Sequence, residues 1–402
     1  MLAHSPTLTL PLVIDYNDMN NPDSRELTAQ DENGIQHALQ HRDRVRRIRL
    51  AISLPNLQRL IVAMDNAFPI LEYLYIQPPV KHHTGLTLPE TLQAPLLRHL
   101  ILDNIAFPLG SPLLTTAPAI VTLMLESITP SDSAYFSPSE LLQRLSLMPQ
   151  LETLGIGFRS PIPNRDIERQ LMHAPIMTHV TLPRLRLFLF KGTSAYLEVL
   201  LPWITTPILQ RLAIAFFNQL IFSVPHLLQF MTTAEDVEFN KARITFSAQG
   251  VEISVYHHEG SSVHAFNTNV TCKHLDWQVA SAGQILNALR TIFTDVEDLS
   301  LVYWDSVKPS EWRYEAYRTQ WRGLLTPFSK VKTLRVDHEL IGMLSCSLQL
   351  EDEESPMGLL PELSELSYGG TDDVSDEFAT FVDARQIAGH PVSLVRLYQS
   401  LV

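Results

Sequence analysis

The sequence predicts an α/β fold: an irregular solenoid, arc- or horseshoe-shaped, with parallel strands on one face and helices or irregular segments on the other. Three observations predict it. A leucine-patterned hexapeptide recurs from Val45 to Tyr368, as in LEYLYI from Leu71, LRHLIL from Leu97, LETLGI from Leu151, VKTLRV from Val331 and LSELSY from Leu363. Successive copies stay in order but not in period, their central residues falling 23 to 38 residues apart. Several intervening stretches carry Leu and Ile three or four apart, the helical spacing. Strand-plus-helix units recurring this way are the organisation of a leucine-rich repeat array with insertions.

Side-chain alternation explains why the units must stack. In LxxLxL the fourth and sixth residues share one face of a strand and the third, fifth and seventh share the other. Leu100 and Leu102 therefore point inward, and His99, Ile101 and Asp103 outward. A lone unit cannot bury its apolar face, so each needs neighbours, and stacking leaves one long strand face open. The central inward positions are Ile48, Leu74, Leu100, Leu123, Leu154, Phe188, Leu212, Val237, Leu275, Leu299, Leu334 and Leu366.

Taken in order, residues 1–44 form an amino-terminal cap and polar lead-in, with a helix capped by Thr28 running towards His41 and then the basic stretch Arg42–Arg49. Residues 45–370 form the repeat domain. Asn56–Ala67 follows Pro55 and Ser139–Met148 follows Pro138, each reading as a helix with proline in its first turn. Gly283–Phe293 is a third helix. Two alternating runs around Ala248, Gln249 and Gly250 predict a β-hairpin at 242–256, inserted into the longest repeat. Residues 346–356, with four consecutive acids from Glu351, form an acidic loop, and 371–402 form a carboxy-terminal cap.

Composition narrows the function classes. The 402 residues are 45% hydrophobic and 18% charged, enough for a large core and unlike a disordered chain. A formal charge of −13 makes nucleic acid and anionic membrane poor default partners. Arg42, Arg44, Arg46, Arg47 and Arg49 form the one local basic cluster, explained either by pairing within the cap or by an acidic partner peptide. Cys272 and Cys346 are the only cysteines, no apolar run is long enough to span a membrane, and no secretory signal pattern opens the chain. An intracellular protein, cytoplasmic or nuclear, is the expectation.

No catalytic constellation emerges, and the expectation is a non-enzyme without metal or cofactor. His82-His83, His257-His258 and the Cys272/His274 pair lack metal-ligand spacing. Gly155-Ile156-Gly157 lies in a strand, not in a phosphate-binding turn, and no nucleophile elbow or kinase loop occurs. Asp337-His338-Glu339 places acids beside a histidine without a nucleophile.

Binding follows from the open strand face instead. Its candidate protein-binding residues are Tyr73, Tyr75, His99, Asp103, Glu126, Arg211, Glu238, His274, Asp276, Asp298, Arg335, Asp337 and Glu365. Charged groups there set orientation, and aromatic ones supply contact area. Trp304, Trp312 and Trp321, near Tyr303 and Tyr314, form a second cluster, read chiefly as packing anchors.

Longer phrases carry a family resemblance. Arg44–Tyr75 (RVRRIRLAISLPNLQRLIVAMDNAFPILEYLY), Ser137–Leu182, CKHLDWQVA from Cys272 and VKTLRVD from Val331 resemble the F-box-like leucine-rich repeat proteins of basidiomycete fungi, over most of residues 10–400. The resemblance implies a protein-interaction module that recognises substrates for a cullin-RING ubiquitin ligase, with a structural or adaptor scaffold unrelated to ubiquitination as the alternative and an unrecognised enzyme as the remote one. The box that binds the small cullin adaptor has no LPxE-like counterpart before the first repeat, so adaptor binding is expected only if such a segment is supplied upstream. The implied partner is a protein, with no role for a membrane or nucleic acid.

Overall fold

A computed structural model describes residues 10–17, 27–78, 86–106, 111–128, 137–159, 176–217, 222–232, 239–257, 266–272, 274–304, 318–349, 355, 357–369 and 375–397. The chain divides into two compact units, Met1–Gly192 with Val199–Gln210, and Thr193–Glu198 with Arg211–Val402.

The first unit opens with β1 (Leu12–Asn17), α1 (Ala29–Gln40), β2 (Val45–Ala51), α2 (Leu54–Val62), β3 (Tyr73–Gln77), β4 (His99–Asp103) and α3 (Leu113–Thr116). It continues with β5 (Thr122–Ile128), α4 (Pro138–Leu145), β6 (Thr153–Phe158), β7 (Val180–Thr181) and β8 (Leu187–Gly192); α5 (Ser194–Leu200) belongs to the second unit up to Glu198, and the first unit resumes with the end of that helix, a 3₁₀ turn at Leu201–Trp203 and β9 (Ile204–Thr205). Strands β1 to β6 and β8 pair in that order, all parallel, while β7 pairs with β9 separately.

The repeat dictates this register. Just before each strand, one backbone amide donates to the equivalent carbonyl of the preceding unit: Glu72 to Arg46 (2.9 Å), Arg98 to Glu72 (2.9 Å), Val121 to Arg98 (2.7 Å), Glu152 to Val121 (2.8 Å) and Arg186 to Glu152 (2.9 Å). The inward residues Ile48, Leu74, Leu100, Leu123, Leu154 and Phe188 are each 0% exposed, as are the leading leucines Leu71, Leu97 and Leu151. Each buried side chain contributes on the order of 2 kcal/mol. A one-residue slip would turn all of them to solvent.

Local signals set the helix starts. Thr28 caps α1, accepting from the Asp31 amide while Asp31 reaches back, and Ser137 does the same for α4 with Glu140. Proline sits in the first turn of α2 and α4, where its missing N–H is of no consequence. Helix α2 buries Leu57, Leu60 and Ile61 on one side.

The second unit contains β10 (Arg211–Phe216), α6 (Pro225–Thr232), β11 (Lys241–Phe246), β12 (Gly250–Tyr256), β13 (Phe266–Thr271), α7 (Leu275–Ala288) and α8 (Arg290–Phe293). Then follow β14 (Asp298–Tyr303), α9 (Arg318–Leu325), β15 (Thr333–Val336), a 3₁₀ turn at His338–Leu340, α10 (Ile341–Leu348), β16 (Glu365–Gly369), α11 (Ser375–Ile387) and β17 (Ser393–Leu397). Its strands lie in the order β10, β13, β12, β11, β14, β15, β16, β17. Strand β12 is antiparallel to both neighbours, and the other pairs are parallel.

A tight turn makes the reversal, since only antiparallel strands can be joined so briefly. The Ser247 amide and hydroxyl both donate to the Gly250 carbonyl (2.9 and 3.1 Å), and the Ser247 hydroxyl accepts from the Gly250 amide (3.2 Å). Gly250 is obligatory here, because a β-carbon on it would stand 2.3 Å from the Val270 carbonyl oxygen. Helix α7 covers β12 and β13 and packs on α9, where Asn287 donates to the Gly323 carbonyl (2.9 Å).

One repeat centre differs from the expectation and another lies outside the described residues. Leu275 is the first residue of α7, not a strand residue, and the strand of that unit lies upstream at β13. Leu275, Val279, Ala282 and Leu286 recur at helical spacing on the buried side, so the 3.6 period wins over the LxW fragment. Val237 lies outside the described residues, and the adjacent strand is β11. Residues 346–348 of the expected acidic loop belong to α10, and its four acids lie outside the described residues.

Candidate functional site

The outward face of the first unit is built by register. One row across seven strands reads Val13, Arg47, Tyr73, His99, Thr122, Thr153 and Leu187. The next reads Asp15, Arg49, Tyr75, Ile101, Met124, Gly155 and Leu189. Beside these, Asp103 is aligned with Glu126 and Gly157 with Lys191.

Cations and aromatic rings interleave at one end of these rows. The Arg47 guanidinium lies 4.3 Å from the Tyr73 ring centre and that of Arg49 lies 5.4 Å from Tyr75. Tyr73 meets the His99 ring at 5.8 Å, and His99 Nδ1 is 3.1 Å from the Thr122 hydroxyl. Both arginines also approach Asp15 at 3.8 Å. Tyr75 donates to Gln77 Oε1, and Gln77 Nε2 donates to Asp103 Oδ2 at 3.0 Å. Each cation–ring contact contributes about 0.5–1 kcal/mol. The ladder thereby favours one arrangement of its aromatic side chains.

Farther along, the second row turns apolar. Ile101, Met124 and Leu189 are half-buried on the outward face, and Gly155 lies between the last two. With no side chain on Gly155, the Met124 thioether settles into that space. Below this stripe, burial and the neighbouring Asp103 push the Glu126 carboxyl above its ordinary range, with Lys191 opposing. Burial raises Tyr75, and burial with Arg98 lowers His99.

Of the expected binding residues, Tyr73, Tyr75, His99, Asp103 and Glu126 converge on this one face. The basic cluster does not stay together. Arg46 pairs with Glu72 (2.9 Å), Arg44 donates to the Leu10 carbonyl (3.2 and 3.0 Å), and Arg42 lies 6.0 Å from the Phe68 ring centre. Alternation along β2 and its approach sends only Arg47 and Arg49 to the open face.

In the second unit, Arg211, Asp298, Arg335 and Glu365 are half-buried on outward strand positions, and Asp298 pairs with Lys241 at 3.2 Å. Three of the expected residues need correction and a fourth lies outside the described residues. Asp337 is buried and accepts from the Tyr303 amide (3.0 Å), because β15 ends at Val336 and Asp337 starts the 3₁₀ turn. His274 and Asp276 are not strand residues: His274 immediately precedes α7 without a side-chain capping bond, its ring edge-on to Trp277 at 5.1 Å, and Asp276 is the second residue of that helix. Glu238 lies outside the described residues. The tryptophan cluster also divides, with Trp321 buried against Phe246, Trp304 exposed, and Trp312 outside the described residues.

No protein-family model and no curated protein matches the chain. Among solved structures, the leucine-rich repeat-containing protein LegL7 from Legionella pneumophila is similar at 11% identity, with a TM-score of 0.27, over 94% of this chain and 99% of that one. The repeat architecture here rests on the chain's own parallel ladder, not on that likeness. Among the described residues no group of three or more His, Cys, Asp or Glu is placed to hold a metal ion, and no helix is long and apolar enough to cross a membrane.

Sequence reading missed Arg47, Arg49, Met124 and Leu189 as members of the face. The signal was available in the alternation, since each is next to an inward repeat position.

Proposed function

We propose that the chain is a protein-interaction module whose first-unit strand face takes up a partner protein, serving as the substrate-recognition part of a cullin-RING ubiquitin ligase. The observation that carries the binding reading is the row Tyr75, Ile101, Met124, Gly155, Leu189: a contiguous apolar stripe left open on the outward side of five adjacent strands, bordered by ordered arginine–tyrosine pairs. Aromatic, methionine and arginine side chains around an apolar centre are the composition of protein-binding surfaces. Support for the ligase connection is the sequence resemblance to F-box-like repeat proteins; chemistry would then occur on another subunit, with this chain positioning the substrate.

Affinity purification of the tagged chain, compared with a Tyr75→Ala, Met124→Ala variant, tests the face: partners that depend on it are lost with the variant. Adding purified cullin adaptor to the same chain, with and without an upstream F-box segment, tests the coupling. Adaptor binding in neither case, with a face-dependent partner retained, converts the reading to a scaffold without ligase function.

A further inference from the structure

The second unit carries an alternation that the sequence hides, because it runs across strands. Register places Ser254 of β12 beside Arg243 of β11, Arg243 beside Ser300 of β14, Ser300 beside Arg335 of β15, and Arg335 beside Ser367 of β16. Five neighbouring strands thus present Ser, Arg, Ser, Arg, Ser in one row. The three serines are 9% exposed or less and form a shallow floor, from which the two arginines rise.

The carboxylates bordering this row are engaged, two of them by the row's own outer serines. Glu252 accepts from Asn267 Nδ2 (2.5 Å) and the Ser254 hydroxyl (3.1 Å), and Glu365 accepts from the Ser367 hydroxyl (2.6 Å). Asp298 is held by Lys241 at 3.2 Å, and Asp337 by the Tyr303 amide at 3.0 Å. No acidic side chain among the described residues pairs with Arg243 or Arg335, and the Nε of Arg243 is buried without an acceptor. In a chain of net charge −13, two cations in register and outside any direct ion pair of the described residues are suited to an anionic ligand.

The geometry points to a docking track for an extended acidic segment of a partner protein, with carboxylates three residues apart; this deepens the protein-binding reading and rests on it. Arg243 and Arg335 are two strands apart, about 9.6 Å between backbones. A polyproline-type extended chain has three residues per turn and rises about 3.1 Å per residue, so acids at i and i+3 share one side about 9.3 Å apart. Lying across the strands over the serine floor, such a segment offers one carboxylate to each guanidinium, a fork geometry that arginine suits.

Fluorescence anisotropy with the purified full chain tests this, using labelled peptides with repeated Asp-Pro-Pro units, the same peptide with Asn for Asp, and a permuted peptide with its aspartates adjacent. The Asp-Pro-Pro peptide is expected to bind, with a salt-dependent affinity, and the Asn peptide not to. Arg243→Gln and Arg335→Gln are each expected to weaken binding about fivefold, and the double variant about twenty-fivefold, since sites this far apart act nearly additively. Arg243→Lys with Arg335→Lys keeps the charge and loses only part of the affinity, which separates recognition from loss of fold. Unchanged binding by a double variant with an unaltered melting curve overturns the proposal, as does equal binding of the spaced and permuted peptides. Tighter, equally arginine-dependent binding of a single-stranded RNA also overturns it. The first-unit variant Tyr75→Ala, Met124→Ala leaves this titration unmoved, so failure of the track and failure of the first-unit face are read separately.

Discussion

Met124 occupies the place of a side chain that Gly155 does not have. A β-carbon on Gly155 would stand 2.4 Å from the Met124 sulfur and 2.8 Å from its terminal methyl carbon. The obstacle is the far end of a flexible thioether chain, which can move aside. Gly155→Ala is therefore expected to change stability by less than about 1 kcal/mol, the strand preference for alanine offsetting part of the displacement. It lifts Met124 off the sheet and weakens a partner that rests on the stripe. Denaturant melts and the affinity of a face-dependent partner, measured on one preparation, check the split between the two effects.

Gly250 predicts the opposite outcome. The atom in the way is the Val270 carbonyl oxygen, part of the β12–β13 ladder, and backbone cannot yield as a thioether does. Gly250→Ala is expected to cost about 3 kcal/mol or more, seen as a lowered urea midpoint for the chain.

A buried arginine fastens the last helix. Arg385 of α11 donates to the carbonyls of Pro361 (3.1 Å) and Leu363 (2.9 Å), just before β16, and its guanidinium lies 5.9 Å from the Phe381 ring centre. Burial lowers its pKa from the ordinary arginine value. Arg385→Ala strips two carbonyls of their donor and is expected to cost about 2–4 kcal/mol. Hydrogen exchange checks the location, with protection lost first over α11 and β17.

Glu126 links the face to pH. Its folded-state pKa is raised, by burial first and by Asp103 second, so the folded state holds this proton more tightly than the unfolded chain does. Stability from this group is fully present below the unfolded carboxylate value of about 4.3 and is lost as pH rises through the folded pKa. Glu126→Gln is expected to stabilise the chain at pH 7 by about 0.5 kcal/mol or less, since the group is partly exposed and screened. The gain disappears at pH 4, which melts at the two pH values read directly.

The repeat centres were legible wherever leucine-like residues supplied both inward positions, as at Leu74/Ile76, Leu100/Leu102 and Leu334/Val336. Strand β13 reads FNTNVT, and its inward positions are Phe266, Thr268 and Val270, so a search for leucine passes over it. Strand β1 was hidden differently: Leu12–Asn17 straddles the change from an apolar to a polar stretch, and pairing with β2, not composition, makes it a strand. The binding face was legible one strand at a time. What alternation within a strand cannot supply is the alignment between strands, which brings Arg47 to Tyr73 and Arg243 to Ser300.

The β11–β12–β13 arrangement also governs how the second unit can assemble. In a simple stack each strand joins the one just made, so order spreads from neighbour to neighbour. Here β10 closes on β13 only after residues 217–265 have looped out between them, and β14 closes on β11 across β12, β13 and α7. The hairpin β11–β12 forms from adjacent chain within microseconds, whereas these two closures join distant segments and are intrinsically slower. The reversal thus places two long-range closures inside the second unit, and the turn at Ser247–Gly250 sets the register of the hairpin that lies between them.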